Sequence, residues 1–397
     1  MNWTETNSYL KGIDNRLDQL SDPVRVAGFD LDDTIIHKPF GKKNEGKWKI
    51  IDLNIGQKIA DLVKNKYIIV IFTNQSGMSG KNFDKPQWRK AINDLAKIMF
   101  GEVSNQKYYF AVYVAKGHDL YRKPNLGLWE LMKSDLKSEF KLDTLRISKK
   151  SFFCGDAAGR IYASPFKKKL HPSSNKGDFS DSDRKFALNI GIDFLTPEEF
   201  YLDNAPDIPY KLEGVDPSAL AEQVTKQKIT FKPRSNEMIV MVGMPGSGKT
   251  EFVTKHILPH GYIHINQDTC KTKAKCLALA KQALEKNKSV VIDNTNPNVL
   301  SRMTYTTMAK DFGYKHIRAI VMKTDENVAN HLNNVRHVYS KGVIPKIVPI
   351  TYNVFKKNYV PPQPSENFDQ IETVDFIFDK KKLEDPDWKR IFMKWSS

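Results

Sequence analysis

VRVAGFDLDDT at residues 24–34 and MIVMVGMPGSGKT at residues 238–250 share one organisation. In each, an apolar run long enough for a buried strand leads directly into a polar turn that suits phosphate chemistry. The first turn is rich in aspartate, and the second is rich in glycine and ends in Lys249 and Thr250. Because open α/β sheets bind their ligands beyond the carboxyl ends of the strands, both stretches predict a functional site at a strand end.

Short apolar runs alternate with helical patterns after each of these stretches. A continuous apolar run between helices is typical of a strand buried on both faces of a parallel sheet. The further predicted strands are residues 67–72, 108–114, 151–153, 262–265, 289–292 and 317–322. The sequence therefore predicts an α/β fold with two parallel-sheet, three-layer domains.

The boundary between the two predicted domains lies in a segment that contains several prolines. Residues 206–236 combine these prolines with polar residues, a composition typical of a linker. We therefore predict a first domain at residues 1–205, a linker at 206–236 and a second domain at 237–397.

The chain is basic, with 62 Lys and Arg against 46 Asp and Glu and a formal charge of +16. Residues 1–200 carry 33 basic and 25 acidic side chains, which is half of the excess. An even distribution of positive charge suggests that both domains meet a polyanion, since Lys and Arg displace counterions from phosphates. A basic surface that only increases solubility is the alternative explanation.

The three cysteines, Cys154, Cys270 and Cys276, are scattered, without a CxxC pair or a neighbouring histidine cluster. This spacing argues against a disulfide framework and a structural zinc site, and it favours a reducing compartment. The first residues lack the apolar core of a signal peptide, and no apolar run has the length needed to span a bilayer. We therefore expect no membrane association.

Asp30, Asp32 and Thr34 follow the first strand. Two carboxylates two positions apart can face one metal ion and one phosphate, so that one attacks phosphorus and the other protonates the leaving oxygen. Such a site needs a divalent cation, because carboxylates and a phosphate repel one another in one pocket. The alternative is an ordinary Asp-rich turn or helix cap.

Polar residues also follow the later strands of the first domain. Thr73 and Asn74 offer a hydroxyl and an amide to phosphate oxygens, Lys123 offers a positive charge, and Asp156 lies in GDAAGR at residues 155–160. This ordered set resembles the haloacid-dehalogenase (HAD) phosphatase superfamily and, most closely, the phosphatase domain of polynucleotide kinase 3′-phosphatases. The downstream DFSDSDR at residues 178–184 belongs to the same resemblance.

The resemblance implies roles for individual residues of the HAD-like domain. Asp30 is the nucleophile that forms an aspartyl-phosphate, and Asp32 is the general acid and base. The other implied roles are phosphate binding by Thr34, Thr73, Asn74 and Lys123, and Mg²⁺ binding by Asp30, Asp32 and Asp156. Asp183 is either an outer acidic residue of the site or a helix cap. Asp33 stands where the family usually has glycine, and it adds a negative charge beside the site.

The second stretch matches the P-loop pattern G-x-x-x-x-G-K-T between a strand and a helix. In this pattern the glycines turn backbone N–H groups toward phosphates, Lys249 reaches the β- and γ-phosphates, and Thr250 offers a hydroxyl to Mg²⁺. ATP is therefore the expected phosphoryl donor. The predicted ATP-binding residues of the loop are Gly243, Gly246, Ser247, Gly248, Lys249 and Thr250.

Further candidates follow the later strands of the second domain. Asp268 can accept the proton of an attacking hydroxyl, and Asp293 is a Walker-B-like carboxylate that can hold Mg²⁺. Arg302 and Arg336 lie on predicted helices, where an arginine either closes over the phosphates or forms a surface ion pair. These residues resemble the kinase domain of the same family. The resemblance implies that Asp268 is the base for a 5′-hydroxyl, and it favours phosphate contacts by both arginines.

Two residues depart from the family pattern, and two insertions add to it. Gln267 stands where many relatives have arginine, and Lys273 stands where animal forms commonly have an aromatic residue that can stack on a base. The insertions are Phe40–Trp48 and Pro165–Gly177. Within them, Lys167–Lys169 are candidates for following a nucleic-acid backbone, and Trp48 either stacks on a base or packs its own loop.

The resemblance spans residues 22–380, with the phosphatase motifs before the kinase motifs. It implies a bifunctional enzyme that removes 3′-phosphates from DNA ends and phosphorylates their 5′-hydroxyls. An RNA-end-healing enzyme with the same two activities is one alternative, since only contacts at the 2′ position distinguish RNA from DNA. A non-catalytic scaffold that binds DNA ends is the other, and the intact acidic and basic residues argue against it.

The resemblance also carries expectations about partners and location. The segment before the first predicted strand is too short for the forkhead-associated domain of animal members. We therefore expect no binding of phosphothreonine scaffolds through such a domain. Family membership implies a nuclear location, and the absence of a coiled-coil pattern favours a monomer.

Overall fold

The computed structural model describes residues 1–37, 48–80, 83–103, 106–170, 175–223, 230–376 and 378–396. The chain forms two compact units, of which the first comprises Met1–Glu213 with Lys394–Ser397 and the second Gly214–Met393. The last residues of the chain therefore belong to the first unit. Among the described residues, every helix is too short or too polar to cross a membrane.

The first unit is built on one large sheet. Its strands are β1 (Asn2–Glu5), β2 (Tyr9–Asn15), β3 (Arg25–Phe29), β4 (Ile36–His37), β5 (Lys49–Ile50), β6 (Tyr67–Asn74), β7 (Tyr109–Ala115), β8 (Phe152–Cys154) and β9 (Asp193–Leu195). Seven of them form the sheet in the order β1-β2-β7-β6-β3-β8-β9, and β4 pairs with β5 separately. From β7 to β9 all neighbours are parallel.

Helices cover both faces of this sheet. They are α1 (Ile55–Lys64), α2 (Lys85–Met99), α3 (Gly127–Glu139), α4 (Pro165–Leu170), α5 (Ser182–Ile190) and α6 (Pro197–Tyr201). Strand β6 explains the arrangement, because Ile69 and Ile71 join one core cluster and Ile68, Val70 and Phe72 join the other. Successive strand residues point to opposite faces, so a strand buried on both faces is apolar throughout. The predicted three-layer α/β architecture is confirmed for this unit.

The antiparallel hairpin of β1 and β2 was not predicted from the sequence. It extends the sheet beyond β7, with Tyr9 opposite Ala115. Trp3 packs over Gly12, where an added Cβ atom would lie 2.7 Å from the indole ring. The hairpin is half exposed and rich in polar residues, so its sequence lacks the continuous apolar run of the central strands.

The second unit contains a five-stranded sheet, and all of its strands are parallel. The strands are β10 (Glu237–Val242), β11 (Ile263–Ile265), β12 (Val290–Ile292), β13 (His316–Lys323) and β14 (Gln370–Asp375), in the order β11-β12-β10-β13-β14. The helices are α7 (Pro217–Glu222), α8 (Lys249–Phe252), α9 (Gln267–Cys270), α10 (Lys273–Glu285), α11 (Val299–Asp311), α12 (Glu326–Tyr339), α13 (Pro349–Asn358) and α14 (Pro386–Phe392).

Two apolar clusters again lie on the two faces of the sheet. Met238 and Val240 of β10 join one cluster, and Ile239 and Met241 join the other. The central strand is therefore buried on both sides, as its apolar sequence predicts. The carboxyl ends of the parallel strands in each unit form one edge, where the polar turns of the two quoted stretches lie.

Candidate active sites

Four charged side chains converge at the carboxyl edge of the first sheet. Asp30 follows β3, and its backbone N–H donates to the carbonyl of Cys154 at the end of β8 (2.8 Å). Asp156 follows β8 two residues later. Lys123 comes from the loop after β7, and Asp183 comes from the first turn of α5. Neighbouring parallel strands thus bring together residues that are far apart in the sequence.

Lys123 is the cation at the centre of this cluster. Its Nζ lies 2.6 Å from Asp30 Oδ1 and 2.7 Å from Asp183 Oδ1, and its side chain is 1% exposed. Asp30, Asp156 and Asp183 each place one carboxylate oxygen within 4.8 Å of the other two. The cluster therefore holds three carboxylates and one ammonium group, of which only Asp156 is half-buried and the others are buried.

The pKa values in this cluster reflect that excess of carboxylates. Burial, opposed by Lys123 and reinforced by Asp183 and Asp32, raises the pKa of Asp30 to about 7. Burial and the neighbouring carboxylates of Asp183 and Asp30 raise the pKa of Asp156 well above its ordinary value. Burial disfavours a charged Lys123, but Asp183 and Asp30 outweigh it and raise the pKa of the ammonium group.

The donor set of the cluster suits Mg²⁺. Carboxylate oxygens are the ligands that this hard cation prefers, and Asp30, Asp156 and Asp183 are the residues that would hold it. A divalent charge would also compensate the carboxylate charge that Lys123 leaves unbalanced. Asp32 is outside this group of three, so its predicted role as a metal ligand stays a prediction.

Asp32 instead faces Gln75, the residue after Asn74. The Gln75 amide donates to Asp32 Oδ2 and also to Thr73 Oγ1 (3.0 Å). Thr34 Oγ1 accepts a hydrogen bond from the backbone N–H of Asp156 (3.0 Å). Gln75 therefore connects Asp32, the proposed acid, to Thr73, which is predicted to bind phosphate. Thr34 fixes the turn that carries Asp156.

The Asn74 side chain contacts the backbone of Lys123. Its Oδ1 accepts from the backbone N–H of Lys123 (2.9 Å), and its Nδ2 donates to the carbonyl of the same residue (3.3 Å). Both ends of the amide are therefore engaged by one backbone unit. Asn74 therefore fixes the loop that carries Lys123, and its predicted contact with phosphate stays a prediction.

Asp183 is closer to the charged cluster than the sequence suggested. Its Oδ2 accepts from the backbone N–H of Ala157 (3.1 Å), and its Oδ1 contacts Lys123. An added Cβ atom at Gly155 would lie 2.4 Å from Asp183 Oδ2, so the glycine makes room for this carboxylate. Of the two interpretations that the sequence left open, the geometry favours an acidic residue of the site.

The P-loop of the second unit has the backbone conformation that its glycines permit. Gly246 and Gly248 have φ angles of 75° and 88°, in the region that favours glycine. Lys249 Nζ donates to the carbonyls of Gly243 (2.9 Å) and Met244 (2.7 Å) and approaches Ser247 Oγ (3.4 Å). Burial lowers the pKa of this lysine to about 8, although Asp293 and Asp268 oppose the shift.

Asp293 follows β12 and is hydrogen-bonded from three sides through its Oδ2. The donors are Thr250 Oγ1 (2.8 Å), Asn266 Nδ2 (3.0 Å) and the His264 ring (Nε2, 3.0 Å). Burial alone would raise the pKa of Asp293, but the hydrogen bonds from His264, Thr250 and Asn266 hold it below its ordinary value. Sequence reasoning assigned no role to His264 or Asn266.

The second oxygen of Asp293 marks the place for a cation. Asp293 Oδ1 is buried, and it has no hydrogen-bond partner among the residues that the structure describes. A buried carboxylate oxygen without a donor fits a metal ion, and the hydroxyl of Thr250 lies beside it. Thr250 and Asp293 are therefore the residues that would hold Mg²⁺ in this unit.

A cavity of about 780 Å³ extends from the P-loop. It is lined by the loop residues Gly246–Thr250 and also by Asp268 and Arg336. Asp268 is exposed at the start of α9, and Arg336 is exposed on α12, where its Nη2 donates to Asn333 Oδ1 (3.4 Å). The predicted base and one predicted arginine therefore share a cavity with the predicted ATP-binding loop.

Arg302 was predicted to bind ATP, but it lies buried inside the second unit. Its side chain is 0% exposed, and it forms a two-pronged ion pair with Glu366 at 2.7 and 2.8 Å. Its remaining nitrogen donates to the carbonyl of Asn296 (3.1 Å). Arg302 is fully buried and is not among the residues that line the cavity at the P-loop. The structure assigns Arg302 to the stability of the fold rather than to ATP binding.

The two insertions are only partly described, because residues 40–47 and 171–174 lie outside the described residues. Trp48 packs against a core cluster of the first unit, which favours packing over base stacking. Lys167 Nζ donates to the carbonyl of Gly177. Lys168 and Lys169 are exposed on α4, so their contact with a nucleic-acid backbone stays a prediction.

Comparison with known proteins assigns each unit to a family model. "Polynucleotide kinase 3 phosphatase" matches residues 25–201, and "AAA domain" matches residues 238–343. A protein of Acanthamoeba polyphaga mimivirus that carries the name bifunctional polynucleotide phosphatase/kinase is 62% identical over 404 residues, covering 100% of this chain and 95% of the relative.

Two cellular relatives show the same similarity at lower identity. The bifunctional polynucleotide phosphatase/kinase of Schizosaccharomyces pombe is 32% identical over 364 residues, covering 90% of this chain and 81% of the relative. A polynucleotide 3′-phosphatase of Arabidopsis thaliana is 31% identical over 202 residues, covering 48% of this chain and 26% of the relative. The similarity to the mimivirus and Schizosaccharomyces pombe proteins thus extends over both units of this chain.

Proposed function

The chain belongs to the bifunctional polynucleotide phosphatase/kinase family, and from this premise we propose that it processes DNA ends for repair. The first unit removes 3′-phosphates, and the second transfers the γ-phosphate of ATP to 5′-hydroxyls. One observation carries the proposal: a single chain holds both a buried Asp30–Lys123–Asp183 cluster and a P-loop whose Thr250 contacts Asp293.

The first half of the phosphatase reaction forms an aspartyl-phosphate. Asp30 Oδ attacks phosphorus in line with the leaving 3′-oxygen, and the bond from phosphorus to that oxygen breaks. Asp32 gives its proton to the leaving oxygen, so a 3′-hydroxyl departs. Gln75 holds Asp32 through its Oδ2 and fixes the direction of the acid. Lys123 and the Thr73 hydroxyl face the phosphoryl oxygens.

The second half regenerates the free enzyme. Asp32, now a carboxylate, takes a proton from a water molecule, whose oxygen attacks the phosphorus of the aspartyl-phosphate. The bond to Asp30 breaks, inorganic phosphate leaves, and both carboxyl groups return to their starting states. Mg²⁺ held by Asp30, Asp156 and Asp183 would supply the positive charge that lets a carboxylate approach a phosphate.

The kinase reaction requires a base, a donor and charge stabilisation. Asp268 takes the proton of the 5′-hydroxyl as that oxygen attacks the γ-phosphorus, and ADP leaves. Lys249 and the backbone N–H groups of the loop hold the phosphates, and Arg336 balances charge that develops during transfer. Mg²⁺ held by Thr250 and Asp293 would neutralise the charge of the phosphates.

A second cavity beside the P-loop suits the adenosine part of ATP. It has a volume of about 780 Å³ and is lined by Phe252 and His256 next to the loop and by Val374, Phe376 and Phe378 at and beyond the end of β14. Aromatic and aliphatic side chains favour a flat nucleobase. The two cavities share Ser247, Gly248 and Glu251, so a base in one and phosphates in the other belong to one nucleotide.

The test uses the full chain with Mg²⁺ and ATP. Matched DNA and RNA oligonucleotides that end in a 3′-phosphate and a 5′-hydroxyl are the substrates, and loss of the 3′-phosphate and gain of a 5′-label are followed separately. We expect both reactions on DNA. Faster reaction on RNA would replace DNA repair by RNA-end healing, and binding without either reaction would indicate a scaffold.

Two further parts of the proposal concern the state of the protein in the cell. We propose a monomer, which sedimentation of the purified chain checks. The nuclear location is an inference from family resemblance, and imaging of a tagged chain checks it. Exclusion of the tagged chain from the nucleus would contradict that location without affecting the chemistry.

A further inference from the structure

Helix α5 carries two deeply buried polar side chains that have no part in the phosphatase steps. Lys185 is 1% exposed and Asn189 is 2% exposed. Asp183 lies on the same helix, one turn or less from Lys185, and contacts Lys123. A buried ammonium or amide is costly unless every donor finds an acceptor, so the partners of these two residues are informative.

The partners of Lys185 include the last residues of the chain. Its Nζ lies 2.9 Å from Asp181 Oδ2, and it donates to the carbonyls of Glu213 (2.7 Å) and Ser396 (3.0 Å). The Trp395 ring lies beside the same ammonium group, with its centroid 5.8 Å from Nζ. The three hydrogens of the ammonium therefore have three acceptors, one of which is supplied by the C-terminal segment, residues 394–396.

The side-chain amide of Asn189 forms two hydrogen bonds with the backbone of the C-terminal segment. Its Oδ1 accepts from the backbone N–H of Trp395 (2.7 Å), and its Nδ2 donates to the carbonyl of Trp395 (2.9 Å). Lys394 Nζ adds a bond to the backbone carbonyl of Asn189 (2.5 Å). A side-chain amide that forms both bonds of a backbone pair fixes the position of the segment along α5.

The same amide also reaches the loop of Lys123. Asn189 Nδ2 donates to the carbonyl of Pro124 (3.0 Å), the residue that follows Lys123. One side chain thus connects the C-terminal segment, helix α5 and the loop that carries the central cation. Lys123 in turn contacts Asp30 and Asp183. The connection from Trp395 to the charged cluster therefore runs through the buried amide of Asn189, the Pro124 carbonyl and the adjacent residue Lys123.

We propose that the C-terminal segment is a positioning element of the phosphatase site. It fixes the Lys123 loop against α5 and so sets the distances from Lys123 to Asp30 and Asp183. The inference rests on the proposed phosphatase function. It also means that residues 1–213 do not contain the complete phosphatase unit, because its last part follows the final helix of the second unit.

The experiment compares the full chain with a variant that ends at Met393. Both are assayed for 3′-phosphate removal from a DNA oligonucleotide and, in the same preparation, for 5′-phosphorylation. We expect the kcat of the phosphatase to fall at least about tenfold with KM for DNA changed less than about twofold, because small misplacements of catalytic groups are costly. We expect the kinase rate to change less than about twofold.

A matched control distinguishes loss of the contacts of residues 394–396 from loss of one positive charge near the chain end. Arg390→Ala removes one positive charge four residues before Lys394 and leaves residues 394–396 in place; Arg390 has a side chain that is 63% exposed. It should retain the phosphatase rate of the unaltered chain. An equal loss in this control, or a shortened chain that loses only affinity for DNA, would overturn the proposal in favour of an electrostatic contribution to binding.

A second variant tests the proposal if the shortened chain does not fold. Asn189→Asp keeps the size of the side chain but replaces the Nδ2 donor by an oxygen that repels the carbonyls of Pro124 and Trp395. It should lower kcat and raise the Mg²⁺ concentration for half-maximal phosphatase activity. Parallel loss of both activities with a lower melting temperature would show a merely structural role. If the unaltered chain lacked phosphatase activity, the proposed function itself would fail.

Discussion

Replacing Asp183 by asparagine removes one negative charge from the first site and leaves the shape of the side chain almost unchanged. Asp183 Oδ1 lies 2.7 Å from Lys123 Nζ. At an effective dielectric constant of about 20, two unit charges at this separation attract by about 6 kcal/mol. The amide oxygen still accepts a hydrogen bond, and a neutral acceptor gives roughly half the energy of a charged one.

We therefore expect Asp183→Asn to weaken the attraction on Lys123 by about 3 kcal/mol. Because Lys123 then loses its fixed position at the phosphoryl group, kcat/KM should fall by up to roughly a hundredfold. The assay follows release of phosphate from a DNA oligonucleotide with a 3′-phosphate, as a function of Mg²⁺ concentration. Because Asp183 is one of three clustered carboxylates, half-maximal activity should require more Mg²⁺. The 5′-kinase rate of the same preparation should remain unchanged.

The matched control is Asp193→Asn, which removes the same charge from an exposed position on β9. This control should retain its phosphatase rate. A variant of Asp183 that keeps more than about a third of the activity and its Mg²⁺ dependence would refute the reasoning. In that case Asp183 would be only the helix-capping residue that the sequence left as an alternative.

Three further predictions concern the second unit. Glu366→Ala should leave Arg302 buried without its carboxylate and destabilise the protein by about 3–5 kcal/mol. The double replacement of Arg302→Met with Glu366→Leu should restore the midpoint of urea unfolding and keep the KM for ATP. A raised KM for ATP would show that Arg302 contributes to nucleotide binding. His264→Ala should lower the kinase rate about tenfold or more and raise its Mg²⁺ requirement, since residues that orient a metal ligand are typically worth that much; an unchanged Mg²⁺ titration would contradict this. Burial lowers the pKa of His331 to about 4, so the unfolded chain takes up this proton first and about 3 kcal/mol of stability should be lost as the pH falls from about 6.5 to 4. His331→Met should reduce this loss of stability, measured as the free energy of unfolding in urea at each pH. The same pH dependence of stability in the variant and the unaltered chain would contradict the prediction.

The parallel sheets could be predicted because burial on both faces leaves a continuous apolar run in the sequence. Strands β3 and β10 have this property, and each is followed at once by its polar turn. The β1–β2 hairpin could not be found in this way, because an edge hairpin with polar, half-exposed residues has no such run. The α/β class was therefore accessible from the sequence, and the edge of the first sheet was not.

Site residues could likewise be predicted where they lie at strand ends, and could not where only the packing places them. Asp30, Asp156 and Asp293 lie at or just beyond strand ends, where topology alone brings them together, and Thr250 follows the P-loop that continues from β10. Asn74 also follows a strand, but its amide faces the backbone of the Lys123 loop, and no sequence pattern records where a side chain points.

Residues on helices were harder to assign. Arg302 was placed at the nucleotide by resemblance, although Glu366, its partner from a distant segment, keeps it inside the fold. Asp183 was left open for the reverse reason, since only the packing of α5 brings its carboxylate to Lys123. His264 carries no motif at all, and its contact with Asp293 is visible only in three dimensions.

The central claim is that one chain contains two independent phosphate-handling sites. The measurement that tests it most directly assays Asp30→Ala and Lys249→Ala separately, each on DNA with a 3′-phosphate and a 5′-hydroxyl, in the presence of Mg²⁺ and ATP. We expect Asp30→Ala to abolish 3′-phosphate removal and keep 5′-phosphorylation, and Lys249→Ala to do the reverse. Loss of both activities in either folded variant would contradict it.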